Sequence, residues 1–288
     1  MMIYLNGNFL PIEQAYIPVL DRGFIFGDGV YEVIPVYSRH AFRLTHHLTR
    51  LQDSLDGIRL KNPYTNDEWR SLITQLIDFH ESEDQYIYLH ITRGVAKRDH
   101  AFPINVQPTI FMMSNPLLTP PEELLQKGVL AITAEDNRWG RCDIKAISLL
   151  PNVLLRQLAI DAGATETILL RNGFLTEGAA SNIFIVKDHT LYAPPKSHLM
   201  LPGITYDVVL ELAQDHTLPY SVRPVTEQEL RTADEILLTS STKEIMPIIS
   251  LDGKLIGQGS PGPFFFKLNA LYQRYKTLTM RNKPASNS

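Results

Sequence analysis

The stretch Asn115-Pro116-Leu117-Leu118-Thr119-Pro120-Pro121 divides this 288-residue chain into two parts. Three prolines fall within positions 116–121, and proline fixes its own backbone while pushing the preceding residue out of the helical region. We therefore predict an interdomain linker over 116–121, between a small N-terminal α/β domain (1–115) and a larger C-terminal domain (122–288). The polar tail, 281–288, is expected to be disordered.

The part before the linker alternates strand and helix patterns. Asn6-Gly7 lies between two short apolar runs and predicts a hairpin turn. The β-branched and aromatic residues of 31–37 predict a strand, and apolar residues at helical spacing over 48–58 predict a helix. Thr65 with Glu68 forms a capping box, which predicts the start of a second helix.

The part after the linker alternates the same two kinds of element. Predicted strands and helices follow one another at 129–133, 153–162, 166–170, 182–186, 204–214, 236–239 and 264–275. A second capping box begins at Thr226, and Asp252-Gly253 predicts a hairpin turn. The fold class predicted from these patterns is α/β (α+β) in two domains.

The composition narrows the possible functions. The net charge is −4 and the sequence pI is about 6.1, whereas proteins that grip nucleic acid backbones are usually basic. One cysteine rules out an intramolecular disulfide, and the nine histidines do not show zinc-ligand spacing, so we expect no metal site. The N-terminus has no basic region followed by an apolar stretch, so we expect no signal peptide and a cytoplasmic protein.

One glycine-rich motif belongs to turns. Gly257 to Gly262 match G-x-G-x-x-G, but the dinucleotide fingerprint needs an acidic residue about 20 positions later within a βαβ unit. No carboxylate follows here, and we interpret these residues as turn glycines.

Two segments of the N-terminal part admit two interpretations each. In Asp21–Glu32, three glycines precede Tyr31; the segment fits a buried tight loop equally well as a backbone approach to a ligand, with the Tyr31 hydroxyl as a polar group. In Arg93–His100, four of eight residues can be cationic. Such a turn is usually only solvated, and the alternative is a trap for a carboxylate or phosphate.

Several segments of the C-terminal part each give only a weak indication of a functional site when considered alone. Arg138–Lys145 ends in a lysine beside apolar residues, and a lone lysine is usually a surface charge. Thr176–Asn182 places a carboxylate before small residues and a predicted strand. Leu201–Thr205 opens a predicted helix, whose N-terminus is able to bind phosphate, and Thr239–Thr242 is a hydroxyl-rich loop.

Taken together and in this order, six stretches resemble the fold-type IV pyridoxal-phosphate enzymes, and most of all their D-amino acid transaminase branch. They are DRGFIFGDGVYEV (21–33), RGVAKRDH (93–100), RCDIK (141–145), TEGAASNIF (176–184), LPGIT (201–205) and TSSTKEI (239–245). The resemblance extends from about Tyr4 to about Tyr275. It implies a two-domain fold whose C-terminal domain contains a β-barrel-like mixed sheet with helices.

The resemblance also implies roles for individual residues. Lys145 matches the Schiff-base lysine, and Glu177 matches the acid that holds the pyridine nitrogen of pyridoxal 5'-phosphate. Residues matching the phosphate site are Arg50, Ile204, Thr205, Ser241 and Thr242. Leu201 matches the residue that packs on the cofactor ring, and Ser181 and Asn182 lie in the glutamate motif. Residues matching the substrate carboxylate trap are Tyr31, Arg98 and His100.

These roles imply a transamination in two half-reactions. A protonated ring nitrogen lets the cofactor accept electrons from the substrate α-carbon, and the lysine amine then moves the proton. Which pocket receives the carboxylate sets the accepted enantiomer, so the trap favours D-amino acids with a 2-oxo acid as acceptor. The resemblance further implies a homodimer.

Other activities on the same scaffold remain open at this point. They are aminodeoxychorismate lyase, branched-chain transaminase and (R)-amine transaminase, and a protein of another class would bind the cofactor without catalysis.

Overall fold

The structure, a computed structural model, describes residues 1–281 in two compact units. Unit 1 contains Met1–Leu118 together with Ile144–Leu149, and unit 2 contains Thr119–Asp143 and the chain from Leu150 onward. The chain first passes from unit 1 to unit 2 inside the predicted linker. That this linker separates two domains stays a prediction. Of the predicted disordered tail only Arg281 is described, at the end of the last helical turn, and 282–288 lie outside the described residues.

Unit 1 is built on a six-stranded sheet in which every neighbouring pair is antiparallel. In chain order its strands are β1 (Met2–Leu5), β2 (Asn8–Pro11), β3 (Gly29–Tyr37), β4 (His40–Ala41), β5 (Gln85–Thr92) and β6 (Thr109–Pro116). In space they follow the order β2-β1-β6-β5-β3-β4. The predicted hairpin at Asn6-Gly7 is confirmed as the β1–β2 turn, with Leu5 opposite Asn8.

Three α-helices of the described chain belong to unit 1, namely α1 (Arg22–Phe26), α2 (Leu44–Gly57) and α3 (Asn66–Asp78). Helix α2 buries Leu48, Leu51 and Leu55 against the sheet, which is the apolar stripe read from the sequence. Helix α3 begins at the predicted capping box, where Thr65 and Glu68 exchange hydrogen bonds. The short helix α1 replaces the predicted loop, and it ends at Gly27, whose left-handed backbone (φ +66°) favours glycine.

The segment 144–149 belongs to unit 1, whereas the sequence analysis placed it in the C-terminal domain. It adds to the edge of unit 1 because Val30 forms an isolated β-bridge with Ala146 and the Ile147 amide donates to Gly29 O at 3.1 Å. The Ile144 side chain is buried in the apolar core of this unit. Pairing between residues more than a hundred positions apart leaves no local signal in the sequence.

Over the described residues, unit 2 contains a nine-stranded mixed sheet and five α-helices. Its strands are β7 (Val129–Glu135), β8 (Glu166–Arg171), β9 (Phe174–Gly178), β10 (Asn182–Lys187), β11 (Thr190–Ala193), β12 (Tyr220–Val222), β13 (Glu235–Ser240), β14 (Glu244–Leu251) and β15 (Lys254–Leu255). Its helices are α4 (Glu122–Lys127), α5 (Leu150–Asp161), α6 (Ile204–Asp215), α7 (Glu227–Arg231) and α8 (Pro263–Lys276). The order in space is β12-β11-β10-β13-β14-β7-β8-β9, with β15 beside β14.

The connection between β9 and β10 shows that this sheet is curled. Three residues, 179–181, join the two strands, so Gly178 and Asn182 are at most about 14 Å apart. Four strands separate β9 from β10 in the sheet, and in a flat sheet these would hold them about 24 Å apart. The sheet therefore bends back on itself, which confirms the predicted β-barrel-like character of the C-terminal part.

The predicted strands and helices of this part are confirmed within a few residues, whereas strands β9, β11, β12 and β14 were missed. Strand β14 is buried almost throughout and contains Pro247, so it has neither an alternating pattern nor a proline-free run. Among residues 1–281, no helix combines the length and the apolar character needed to cross a membrane.

Candidate active site

Lys145 is held by backbone contacts within unit 1. Its carbonyl accepts a hydrogen bond from the Tyr31 amide at 3.0 Å, and its amide donates to Ser54 Oγ at 3.2 Å. Its Nζ lies 4.2 Å from the centroid of the Tyr31 ring. Strand β3 and helix α2 therefore fix the backbone of this partly buried lysine, and the ring of a predicted substrate residue lies against its amine.

Tyr31 shares its side of the sheet with Tyr88 of strand β5. The two rings lie 5.9 Å apart, and Tyr88 Oη is 2.8 Å from His90 Nδ1. Burial raises the pKa of Tyr88 to about 12, so its hydroxyl stays protonated at neutral pH. The structure thus groups Tyr31 with Lys145 and a layer of aromatic side chains.

A fully buried carboxylate, Glu32, follows Tyr31. Arg50 Nε and Nη2 donate to its two oxygens, each at 2.8 Å, and His47 Nδ1 lies 2.8 Å from Oε2. Burial by itself would raise the pKa of Glu32, but the Arg50 fork holds it well below its usual range. Arg50, predicted for the phosphate site, is thus fixed by an acid that the sequence analysis did not single out.

The other ring nitrogen of His47, Nε2, differs from Nδ1 in its bonding. Within the part of the chain that the structure describes, buried His47 Nε2 has no hydrogen-bond partner. Burial lowers the pKa of His47, and the nearby Arg50 and Lys145 charges act in the same direction. Buried polar atoms are nearly always satisfied, so this atom marks a place where a ligand group would complete the bonding.

Arg98 and His100 lie together on the Phe26 ring. The Arg98 guanidinium is 5.5 Å from the ring centroid, and the His100 and Phe26 ring centroids are also 5.5 Å apart. Arg22 Nη1 donates to Asp99 O at 2.6 Å and so fixes the turn between them. Of the residues predicted for the trap, Tyr31 thus lies beside Lys145, and the exposed Arg98 and His100 lie on Phe26.

Arg93, the first cation of the same basic stretch, is a structural residue. Its Nε donates to Asp28 Oδ2 at 2.8 Å, and its Nη2 donates to Ile58 O at 2.7 Å. Its guanidinium also stacks 3.8 Å from the Phe102 ring centroid. The basic stretch is thus neither a simple solvated turn nor a uniform cluster of ligand-binding cations.

In unit 2, Glu177 is the last residue but one of strand β9, and its buried carboxylate accepts several hydrogen bonds. Arg138 Nη1 donates to Oε1 at 2.5 Å, and Asn182 Nδ2 donates to Oε2 at 3.2 Å. The Leu201 amide is 3.2 Å from both oxygens. Burial raises the pKa of Glu177 to about 7, while the Arg138 charge and the Leu201 amide lower it.

Asn182 connects this carboxylate to the start of helix α6. Its Nδ2 donates to Leu201 O at 3.0 Å as well as to Glu177. A Cβ at Gly203 would lie 1.9 Å from Asn182 Oδ1, so only glycine fits at this N-cap. The buried Ile204 and Thr205 follow, and amides of a first helical turn are the donors that anion sites use.

Ser181, predicted within the glutamate motif, contacts a second buried acid of unit 2, Glu166. Ser181 Oγ donates to its Oε2 at 2.7 Å, and Lys243 Nζ is 3.7 Å from the same oxygen. Burial lowers the pKa of Lys243, and Glu166 acts against it. Ser241 and Thr242 lie half-buried in the turn between β13 and β14 that ends at Lys243.

Residues that the sequence analysis missed surround the predicted ones. In unit 1 these are Glu32, His47 and Ser54, and in unit 2 they are Asp136, Arg138, Arg171 and Thr176. Arg138 was noticed only as a neighbour of Lys145 in sequence. Its pairing with Glu177 joins positions 39 residues apart, and no spacing rule predicts that.

Comparison with known proteins identifies the family of this chain. The family model described as amino-transferase class IV matches residues 29–251. The chain is 41% identical to the D-alanine aminotransferase of Bacillus licheniformis, over 91% of this chain and 93% of that protein. It is 38% identical to the D-alanine aminotransferase of Staphylococcus aureus (strain MSSA476), over 95% and 97%.

The solved structures that resemble it include the branched-chain amino acid aminotransferase of Escherichia coli. That structure has a TM-score of 0.89 at 27% identity, over 100% of this chain and 97% of the other. A second branched-chain amino acid aminotransferase, solved with pyridoxamine 5'-phosphate, has the same TM-score and identity over 98% and 95%.

The shared architecture places the chain among the pyridoxal-phosphate-dependent enzymes of fold type IV. Since the family model covers far more than half of its length, the chain belongs to the amino-transferase class IV family. It is an aminotransferase that uses pyridoxal phosphate, as the sequence predicted. The interpretation as a non-catalytic binding protein is set aside.

Proposed function

We propose that this chain transfers the amino group of a D-amino acid, such as D-alanine or D-glutamate, to a 2-oxo acid. The relatives named D-alanine aminotransferase carry this proposal, because their identity of 38–41% extends over nearly the whole of each chain. Tyr31, Arg98 and His100, the residues expected for a carboxylate trap, support it. The prediction of D-amino acid transamination agrees with these relatives.

The residues present fit the cofactor. In unit 1 the guanidinium of Arg50 on helix α2 suits a phosphate. In unit 2 the amides at the start of helix α6 and the hydroxyls of Ser241 and Thr242 are donors of the kind that phosphate takes. The Glu177 carboxylate suits a protonated ring nitrogen, and Leu201 is the residue that would pack on the ring. When bound, pyridoxal phosphate supplies an electron sink for the substrate α-carbon.

Lys145 carries the cofactor and moves the proton at the substrate α-carbon. Its backbone is fixed by Tyr31 and Ser54, so its amine works from a defined starting point. Proton transfer by one positioned amine on one side of the α-carbon gives a fixed stereochemical course. The carboxylate trap then decides which enantiomer presents its proton to that amine.

Glu177 holds the proton on the ring nitrogen. Its Oε1 accepts from the charged Arg138 and its Oε2 from the neutral Asn182, while the Leu201 amide is equally close to both oxygens. Oε2 is therefore the oxygen suited to the ring N–H. Asn182 orients the carboxylate, and Ser181 keeps the neighbouring Glu166 bonded.

We further propose a cytoplasmic homodimer of two-domain chains. Large apolar side chains are exposed on the segment 16–24, which runs into helix α1, and on helix α5, among them Tyr16 (80%), Phe24 (77%), Leu150 (68%) and Val153 (60%). Such groups of exposed apolar residues are typical of surfaces covered by another chain. A second copy of this chain is the covering partner that the family resemblance implies.

Branched-chain transamination is the second candidate, because both solved relatives described above are branched-chain aminotransferases. Their identity of 27% is well below that of the D-alanine aminotransferases. The half-reaction with amino donor alone decides between the two. We expect D-alanine to convert the cofactor absorbance of the holoenzyme and L-leucine to leave it unchanged, and the reverse result would overturn the proposal.

The role of Lys145 has its own test. Lys145→Ala is expected to lose the lysine-bound cofactor absorbance and nearly all turnover of D-alanine. Lys127→Ala is the matched control, since Lys127 is 72% exposed and pairs across one helical turn with Glu123. Turnover in Lys145→Ala equal to that of Lys127→Ala would remove the mechanism.

A further inference from the structure

Arg138 distributes its donors unequally between two buried acids. Its Nε and Nη2 donate to the two oxygens of Asp136, at 2.9 and 3.0 Å, and Nη1 is directed to Glu177. The backbone amide of Arg138 also donates to Asp136 Oδ1, at 3.2 Å. Asp136 is therefore the principal partner of Arg138, and Glu177 is the second.

Asp136 is itself anchored on several sides. Thr176 Oγ1 donates to its Oδ2 at 3.0 Å, and Arg171 Nη2 lies 3.1 Å from its Oδ1. Arg171 Nη2 also donates to the Arg138 carbonyl at 2.8 Å. Within the described chain, the cluster thus contains two guanidinium cations and two carboxylates, and it is neutral only while Glu177 is ionised.

Glu177 is close to the balance point between its two protonation states. Burial raises its pKa to about 7, and the largest opposing influence is the Arg138 charge. Asp136 also raises the pKa of Glu177, because it is a second negative charge that pairs with the same arginine. The buried Cys142 thiol also faces this cluster, and burial raises its pKa to about 11, so it is neutral.

We propose that Arg138 is a positioning residue that keeps Glu177 ionised, and that Asp136 limits how strongly it does so. This inference rests on the proposed role of Glu177 at the ring nitrogen. An ionised Glu177 holds a proton on that nitrogen, whereas a neutral carboxyl would only share its own proton with it. Arg138 therefore controls the electron sink without touching the cofactor or the substrate.

Titration of Glu177 in the cofactor-free protein tests the proposal without any measurement of activity. Protein labelled with ¹³C at the glutamate carboxyl carbon is titrated by NMR, and the Glu177 resonance is identified as the one lost in Glu177→Gln. Arg138→Met should raise the Glu177 midpoint by about 1–3 pH units, the usual effect of removing an opposite charge at contact distance. Asp136→Asn should lower it, because Arg138 then serves Glu177 alone.

The opposite signs separate this role from a structural one. If either substitution simply loosened the cluster, the Glu177 midpoint would shift in the same direction in both variants or would not shift in either. That result would overturn the proposal. Arg138→Lys keeps the charge and should bring the midpoint part of the way back. Arg141→Met is the matched control, because Arg141 lies three residues away, is half exposed and pairs with Asp143. It should leave the midpoint unchanged.

Should Arg138→Met fail to fold, Arg138→Lys and Asp136→Asn still decide the matter by the sign of their shifts. In the holoenzyme, Arg138→Met should lower kcat for D-alanine by about an order of magnitude or more while KM changes little. Failure of D-alanine in the wild-type half-reaction would remove the proposed substrate and leave the midpoint shifts standing. If wild-type enzyme turns over D-alanine but the Glu177 midpoint is the same in all variants, only the inference about Arg138 is wrong.

Discussion

Two buried carboxylates, Glu32 in unit 1 and Glu177 in unit 2, each contact an arginine, yet their pKa values are displaced in opposite directions. Glu32 is held well below its usual range, and Glu177 is raised to about 7. Burial raises the pKa in both cases. The difference therefore comes from the partners and not from the degree of burial.

Among the contacts of the described residues, the way each arginine divides its donors between acids explains the contrast. Arg50 directs both Nε and Nη2 to Glu32, and His47 adds a third contact. Arg138 directs the corresponding pair of donors to Asp136 and leaves Nη1 for Glu177. A forked arginine that serves one acid makes a fixed anion, whereas a shared arginine leaves an acid whose charge state other groups are able to change.

Arg50→Met is expected to have the largest effect on this contrast, because it leaves Glu32 buried without its cation. Removal of one partner of a buried pair costs about 3–5 kcal/mol of unfolding free energy. Urea unfolding of the cofactor-free protein measures it, with Trp69 as the reporter because this tryptophan is fully buried in unit 1. Arg70→Met is the control, since Arg70 is exposed and donates to Thr45 Oγ1. Equal losses in the two variants would contradict a stabilising pair between Arg50 and Glu32.

Glu177→Gln should act mainly on catalysis. We expect kcat to fall by about 10²–10³-fold, the usual cost of removing one preorganised electrostatic partner. Stability at neutral pH should change much less, because glutamine still accepts from Arg138. Steady-state kinetics with D-alanine measures it, and Glu123→Gln on the surface of helix α4 is the control. Wild-type kcat in Glu177→Gln would show that this acid has no role in the reaction.

The pH dependence of stability should have opposite slopes for the two acids. Native Glu177 binds its proton more tightly than the unfolded chain does, so its contribution to stability falls as the pH rises from 4.5 to about 7. Glu32 has a lowered pKa, so its contribution is present above 4.5 and is lost as the pH falls through its native value.

Urea unfolding between about pH 5 and pH 8 tests the first slope. The stability of wild type relative to Glu177→Gln should decrease by about 1–3 kcal/mol over this range. An increase with pH would mean that Arg138 outweighs burial, and Glu177 would then resemble Glu32.

The smallest effect is expected for Arg141→Met. Arg141 presents a forked pair of donors to Asp143, at 3.0 and 2.9 Å, which is the geometry that Arg50 presents to Glu32. Because this pair is open to water, we expect no measurable change in the unfolding midpoint. A loss comparable to that of Arg50→Met would show that fork geometry and not burial makes the unit 1 pair strong.

Local patterns were sufficient for much of the fold. The capping boxes at Thr65 and Thr226, the apolar stripe of helix α2 and the turn at Asn6-Gly7 all appear as predicted. Each depends on contacts between residues within a few positions of one another. Of the strands that were missed, β14 is buried on both faces and does not alternate, and β11 and β12 are too short for their alternation to stand out in the sequence.

The candidate site was accessible from the sequence only as an ordered set of motifs. Lys145 and Glu177 were assigned by resemblance, and the matched family bears out the class of enzyme. Their individual roles stay predictions. Glu32, His47 and Arg138 were not assigned, because no pattern of residue types distinguishes a buried charged partner from a surface charge.

The sequence by itself determined the mixed α/β class, the main helices and strands, and membership of a family of pyridoxal-phosphate aminotransferases, because these depend on short-range periodicity and on ordered motifs. Only the tertiary structure decided that segment 144–149 packs in unit 1, and which acid each arginine serves. Those features arise where distant parts of the chain meet away from water, and there the share of an arginine's donors that each carboxylate receives shifts its pKa.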